Sequence, residues 1–222
     1  MALALCLTLL PTAALAAEGH QHCVCGKTHT IIGDHTGKRQ ITFDKWLTSG
    51  YGIKNALTLY YNEANKTSGE PVSKDGDNWL LNGGNYYLRT DVENYSDLSA
   101  VKIDHTIVIK GNVTICLNGQ TLESSAKDQP VFKVTSGSTL TLTDCKGNTG
   151  KGKVTHTGDG SGSGVEVENG GTFNMYGGTI TGNTAKSTDK NKVGTGGGVC
   201  VTGARSTFNM YGGTITDNTA ML

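Results

Sequence analysis

The stretch TFNMYGGTITGNTA from Thr172 to Ala185 returns 35 residues later as TFNMYGGTITDNTA from Thr207 to Ala220. Thirteen of the fourteen positions are identical, and one Gly becomes Asp in the second copy. Self-similarity at a period of about 20–50 residues is typical of repeat architectures. Because a unit this short cannot bury its own apolar face, each copy must stack on a neighbour. The repeat therefore predicts a stacked fold.

Weaker copies of the repeat can be followed toward the N-terminus. Ile109, Val134, Val167 and Val201 occupy equivalent positions at spacings of 25, 33 and 34 residues. We attribute the variable spacing to loops between the copies, notably residues 186–195. Each copy contains three short stretches in which apolar and polar residues alternate, which is typical of strands.

The alternation predicts which side chains point inward. Side chains alternate between the two faces of a strand, so Val167, Phe173 and Ile180 can share one interior, with glycines at the corners. Three strands per coil, stacked in register, make an all-β parallel β-helix, and the usual hand of parallel crossovers makes it right-handed. A β-propeller is the alternative, but its blades need about 40 residues.

Composition agrees with this fold and limits the partners. The chain has 222 residues, enough for one domain with a sizeable core. It contains 32 Gly and only 3 Pro, and its Thr, Val and Ile favour strands with frequent turns. Its 19 basic and 19 acidic residues balance. Without a basic stripe, nucleic acid is not expected as a partner.

The N-terminus is interpreted as a signal peptide, residues 1–17. The apolar run Ala2–Leu10 precedes the small-x-small site Ala14–Ala16, which predicts cleavage after Ala16 or Ala17. The run is too short to span a membrane. We therefore expect a mature chain that is secreted or held at the cell surface, with no membrane span after the signal is removed.

The remainder divides into three regions by composition. Residues 18–38 are rich in Cys and His, residues 39–77 are interpreted as an N-terminal cap or linker, and residues 78–222 carry the β-helix pattern. Nothing after the last repeat resembles a cap, although solenoids need one at each end. We therefore expect this chain to be a fragment of a longer protein.

The Cys/His-rich segment is a candidate metal site. Zn²⁺ takes four nitrogen or sulfur ligands, and six such residues lie close together in sequence: His20, His22, Cys23, Cys25, His29 and His35. The C-x-C spacing differs from the usual zinc motif, and oxidation of the two thiols is the alternative. A bound zinc here would be structural rather than catalytic. No other cofactor is expected.

The remaining cysteines do not form an obvious framework. Without Cys6 of the signal peptide the count is odd, which does not describe a closed set of disulfides. Alternation predicts that Cys116 and Cys200 point outward from different strands. Cys145 lies in a loop, from which it could reach either of them or neither.

Three sets of residues recur at equivalent positions of the copies. Tyr176 and Tyr211 could stack on each other or offer a platform for sugar rings, and Asn183 and Asn218 are expected to form an amide ladder at a turn. An outward row of threonines is predicted at Thr114, Thr139, Thr172 and Thr207. Such arrays can resemble ice-binding surfaces, but Thr is also an ordinary strand residue, which is the interpretation we favour.

The sequence Asn183-Thr184-Ala185, followed by a loop and Gly196-Gly197-Gly198-Val199-Cys200-Val201, resembles the repeats of polymorphic outer-membrane proteins. The whole pattern is similar to right-handed β-helix surface proteins of Gram-positive gut bacteria, which are pectate-lyase-like in fold. VTICLNGQTL at Val113–Leu122 is similar to their first coil, and HCVCG at His22–Gly26, with GDH at Gly33–His35, to their start. The resemblance implies export and adhesin-like or cell-envelope roles.

No catalytic site is evident in the sequence. Hydrolysis of polysaccharides needs paired carboxylates, but Glu166 aligns with Lys133, Val108 and Cys200 in the neighbouring copies. We therefore expect a non-enzymatic surface protein with an adhesion or structural role, whose partners are host or envelope glycans or proteins. The alternative is a β-helix that binds or degrades polysaccharides.

Overall fold

The computed structural model describes residues 20–23, 40–43, 45–49, 57–61, 70–89, 100–145, 152–186 and 195–221. Within these ranges the chain forms strands and turns and contains no helix. The described residues therefore include no helix that could cross a membrane.

The strands are short, and most are separated by tight turns. In chain order they are β1 (His20–Cys23), β2 (Gln40–Phe43), β3 (Lys45–Ser49), β4 (Leu57–Tyr61), β5 (Glu70–Pro71), β6 (Lys74–Asp75), β7 (Asn78–Leu88), β8 (Val101–Ile103), β9 (Ile107–Cys116), β10 (Thr121–Ser124), β11 (Phe132–Val134), β12 (Thr139–Thr143), β13 (Lys153–His156), β14 (Val165–Glu168), β15 (Thr172–Met175), β16 (Thr179–Thr181), β17 (Thr184–Lys186), β18 (Val199–Thr202), β19 (Thr207–Met210), β20 (Thr214–Thr216) and β21 (Thr219–Met221).

Successive coils stack in parallel and in register, which confirms the predicted β-helix. The first strands of the coils form one sheet in the order β7, β9, β11, β14 and β18, and β12, β15 and β19 continue it. The third strands form a second sheet in the order β8, β10, β13, β16 and β20. In the last two coils the short strands β17 and β21 add a further parallel pair.

The interior is filled by one file of apolar side chains per strand position. Ile109, Val134, Val167 and Val201 pair in register as predicted, and the first three are fully buried. Phe173 is also fully buried, and its ring stacks on that of Phe208 with centroids 5.0 Å apart and planes 11° apart. Burying each such side chain stabilises the fold by roughly 1.5–3 kcal/mol.

The first coil is extended by strands from the region predicted as a cap or linker. β3 pairs in parallel with the end of β7, with Leu47 opposite Leu88. β4 then pairs antiparallel with β3, and β5 antiparallel with β4. Leu47 is fully buried and belongs to the same apolar cluster as the coils. These strands therefore continue the core of the solenoid beyond its first coil.

The predicted row of threonines is wrong at its first member. Thr139 lies opposite Asn112, whereas Thr114 lies opposite Thr141. The offset between the two coils changes from 25 residues at Val134 to 27 at Thr139. The reason is that β9 runs straight through Gly111 (φ 68°), while the next coil inserts a turn between β11 and β12. The row is Asn112, Thr139, Thr172 and Thr207.

Candidate functional site

The stacked tyrosines form the most exposed aromatic surface of the described coils. Tyr176 and Tyr211 follow β15 and β19, and their rings lie 4.6 Å apart with planes 22° apart. Tyr176 N–H donates to the Leu142 carbonyl and Tyr211 N–H to that of Met175, both at 2.8 Å, so the backbone sets the stack. The structure confirms that the tyrosines stack, and Tyr211 remains 56% exposed.

The same position is covered in the earlier coils. Cys116 lies opposite Thr143 on one side and Tyr87 on the other, and each of the three is at most 2% exposed. Among the described coils, this outward row is therefore accessible to solvent only at Tyr176 and Tyr211. Within the part of the chain that the structure describes, these two tyrosines are the members of the row that a sugar ring could contact.

Two polar rows accompany the tyrosines on the same face of β15 and β19. Thr172 pairs with Thr207, and Asn174 pairs with Asn209, whose Nδ2 donates to the Asn174 Oδ1 at 2.9 Å. Because side chains of alternate residues share a face, these rows lie beside the tyrosine stack. We call these six residues, Thr172, Asn174, Tyr176, Thr207, Asn209 and Tyr211, the Thr–Asn–Tyr face.

The asparagine ladder is structural, as predicted. Asn183 is fully buried, and its Nδ2 lies 2.9 Å from the Asn218 Oδ1 and 3.0 Å from the Thr181 carbonyl. Asn218 donates in turn to the carbonyls of Ile180 and Thr216 at 2.9 and 2.8 Å. Because buried backbone carbonyls need donors, the two amides stabilise this corner of the coils.

His156 ends this ladder and is a site that the sequence did not reveal. Its Nδ1 lies 2.9 Å from the Asn183 Oδ1, and its Nε2 lies 3.1 Å from the Gln129 carbonyl. Both ring nitrogens face oxygen atoms, yet a neutral imidazole has only one N–H. Burial nevertheless dominates and lowers the pKa of His156, while the two hydrogen bonds offset part of that shift.

The protein is expected to lose stability on acidification through this ring. A lowered pKa means that the unfolded chain, with a pKa near ~6.5, takes up the proton first. Stability is therefore complete above that value and falls as the pH drops toward the folded pKa. Urea midpoints at about pH 7.5 and about pH 5.5 should differ more in wild type than in His156→Gln. The half-buried His105, which contacts Asp104, provides the control His105→Gln. An equal pH response in all three proteins would contradict the prediction.

The predicted metal ligands fall only partly within the described residues. His20, His22 and Cys23 lie in β1, which pairs antiparallel with β2, and His22 is opposite Ile41. The other three, Cys25, His29 and His35, lie outside the described residues. Zinc binding there stays a prediction. In the described part of the chain, no three His, Cys, Asp or Glu side chains converge as a metal-binding group.

Cys116 and Cys200 lie on the outward side of their strands, as predicted, but neighbouring parts of the chain cover both of them. Cys116 is fully buried, because the next coil lays the amide of Cys145 over its sulfur. Cys200 pairs with Glu166 on the outward side of β18, but it is only 7% exposed and its thiol faces the Thr195 hydroxyl at 3.5 Å. Of the alternatives that the sequence leaves open for Cys145, the structure has the one in which it lies beside Cys116.

The carboxylates near β14 are either ion-paired or border a small groove. Glu168 contacts Lys133 at 3.1 Å. Glu166 and Asp128 line a groove of about 120 Å³, where Asp128 also accepts a hydrogen bond from Ser161. Pockets that enclose ligands are usually about 300–1,000 Å³, so this groove is too small to enclose a sugar chain.

Comparisons of the chain with protein-family models, with curated proteins and with solved structures found no match. The functional argument therefore depends on the geometry of the described coils and on the sequence.

Proposed function

We propose that this chain is a secreted or cell-surface β-helix with an adhesion or structural role and no catalytic site. The observation that supports it is the Thr–Asn–Tyr face, on which hydroxyl, amide and aromatic groups repeat from coil to coil. Hydrogen-bonded strands lie about 4.8 Å apart, so the groups recur at a fixed spacing on a rigid backbone. Such a surface suits contact with an extended partner better than with a small molecule.

The partner that this face fits best is a glycan on a host cell or in the bacterial envelope. Tyrosine offers an apolar ring and a polar tip, and sugars present apolar C–H faces between hydroxyl groups. The hydroxyl and amide rows beside Tyr176 and Tyr211 supply donors and acceptors for those hydroxyls. Protein partners with exposed amides and hydroxyls are the other possibility that this chemistry allows.

Binding of a polysaccharide is the second candidate function, and the exposure of Tyr211 favours it. Degradation would need two carboxylates about 5–10 Å apart beside the bound sugar. The groove bordered by Asp128 and Glu166 is where such chemistry would be tested. If the wild-type chain releases sugar products from a polysaccharide and Glu166→Gln does not, the protein is an enzyme and the non-enzymatic proposal is wrong.

A glycan-array screen on the purified chain tests the proposal. We expect at least one glycan class to bind, and Tyr211→Ala to weaken that binding roughly tenfold, since a lost ring contact of about 1.4 kcal/mol corresponds to that factor. Tyr211→Phe should retain most of the affinity. Met221→Ala, at a similarly exposed apolar residue of the last coil, is the matched control. Equal binding by all variants, or no binding to glycans or intact cells, would refute the proposal.

A further inference from the structure

Cys116 and Cys145 meet at the corner where β9 and β12 end. The Cys145 N–H donates to the Cys116 Sγ at 3.3 Å, and the Cys145 thiol faces the Asn118 Oδ1 at 3.5 Å. A backbone hydrogen bond joins the two coils at this corner: Leu117 N–H donates to the Thr143 carbonyl at 2.8 Å. Two thiols that are distant in sequence are therefore placed side by side by the stacking of adjacent coils.

The two sulfurs differ in their access to solvent. Cys116 is fully buried, whereas Cys145 is partly exposed. Burial raises the pKa of the Cys116 thiol, and the neighbouring Cys145 thiol raises it further. Because the thiolate is the attacking species in disulfide exchange, a reagent from solution meets Cys145 first, and Cys116 can react only with a sulfur already in the corner.

We propose that Cys116 and Cys145 form a disulfide on exposure to a small-molecule disulfide such as oxidised glutathione, and that this bond joins two adjacent coils. The Cys145 thiolate attacks one glutathione sulfur, a mixed disulfide forms and one glutathione thiolate leaves. Cys116 then loses its proton to water and attacks the Cys145 sulfur, which releases the second glutathione as a thiolate. The two glutathione thiolates take up the two protons that the protein thiols lose. Two protein thiols are oxidised by two electrons, and one glutathione disulfide is reduced to two thiols. The inference does not depend on the proposed function.

Peptide mapping tests the bond directly, because trypsin separates the relevant cysteines. Cleavage at Lys and Arg yields Gly111–Lys127 with only Cys116, Val134–Lys146 with only Cys145, and Val193–Arg205 with only Cys200. The purified chain is incubated with oxidised glutathione, its remaining thiols are blocked with N-ethylmaleimide in denaturant, and the digest is analysed by mass spectrometry. We expect Gly111–Lys127 linked to Val134–Lys146, with the link lost on reduction.

A stability measurement keeps the proposal testable if a variant folds poorly. Reductant should lower the melting temperature of the oxidised wild type by on the order of 10 °C and leave that of Cys145→Ser unchanged. The control is Cys200→Ser, which removes a thiol that faces the Thr195 hydroxyl. Its melting temperature should fall on reduction as that of the wild type does. Three results of the peptide mapping would overturn the proposal. They are maleimide on both Cys116 and Cys145, glutathione retained on Cys145, and a disulfide from either residue to another cysteine.

Discussion

Replacing Phe173 with Ala is expected to lower the free energy of unfolding by about 3–5 kcal/mol. The ring is fully buried and lies between two coils, in register with Leu140 on one side and stacked on Phe208 on the other. Its removal leaves a cavity that the rigid backbone ladders on both sides cannot close. Urea denaturation followed by circular dichroism measures the loss.

The repeat supplies a matched control in Phe208→Ala. Phe208 has the same sequence neighbours, but it is only partly buried and has a described coil on one side alone. We expect a cost of about 1–2 kcal/mol, since part of the ring is already in water. Coils of a solenoid can unfold separately, so hydrogen exchange of the β15 and β19 amides should show where protection is lost. Equal losses of stability for the two substitutions would contradict the packing of Phe173 between two coils.

The sequence predicts the last two coils well because their repeat is nearly identical. An unchanged period of 35 residues leaves one alignment for β15 with β19 and for β16 with β20, and the structure has that register. The alternation of Phe173 and Met175 with polar residues then decides which side chains face the interior. The stacking of Tyr176 on Tyr211 follows from the same register.

The sequence does not decide the register of β9 with β12, because Gly111 allows two alignments. Glycine adopts positive φ both in a turn and within an irregular strand. The sequence therefore does not show whether β9 ends at Gly111 or continues through it. Alternation fits equally well when Thr114–Cys116 is aligned two residues later, opposite Thr141–Thr143. That alignment places Cys145 just past the position opposite Cys116. It therefore favours Cys116 as the neighbour of Cys145, a choice that the sequence otherwise leaves open.

His156 was missed for a different reason. The third strand of its coil, Lys153–His156, does not follow the Thr-Ile-Thr pattern of the two later copies. Its partner Asn183 was predicted only as a turn residue that pairs with Asn218. The burial of His156 at the end of the amide ladder depends on how the chain bends after β13, and its ring contacts the carbonyl of Gln129, which lies in another coil.

Gly162→Ala is expected to destabilise the protein by roughly 4 kcal/mol, from backbone strain and steric overlap together. Gly162 has a φ of 139°, and a Cβ there would overlap the carbonyl of Gln129 in the preceding coil. The backbone is held in place from the other side as well, because the Gly162 N–H donates to the Thr184 carbonyl at 2.8 Å. A local shift of the backbone therefore cannot relieve the overlap of the Cβ with Gln129. The two adjacent coils must move apart instead.

Gly158→Ala distinguishes this overlap from the cost of an unusual backbone angle. Gly158 also has a positive φ, 61°, but a Cβ there would meet no atom within 4 Å. Alanine should cost only about 1–2 kcal/mol at that position. Denaturant midpoints of the two variants measure the difference, and similar losses would mean that the chain near Gln129 yields to the added methyl group. A large difference would show that backbone contact between coils, as well as the packed interior, sets their spacing at this corner.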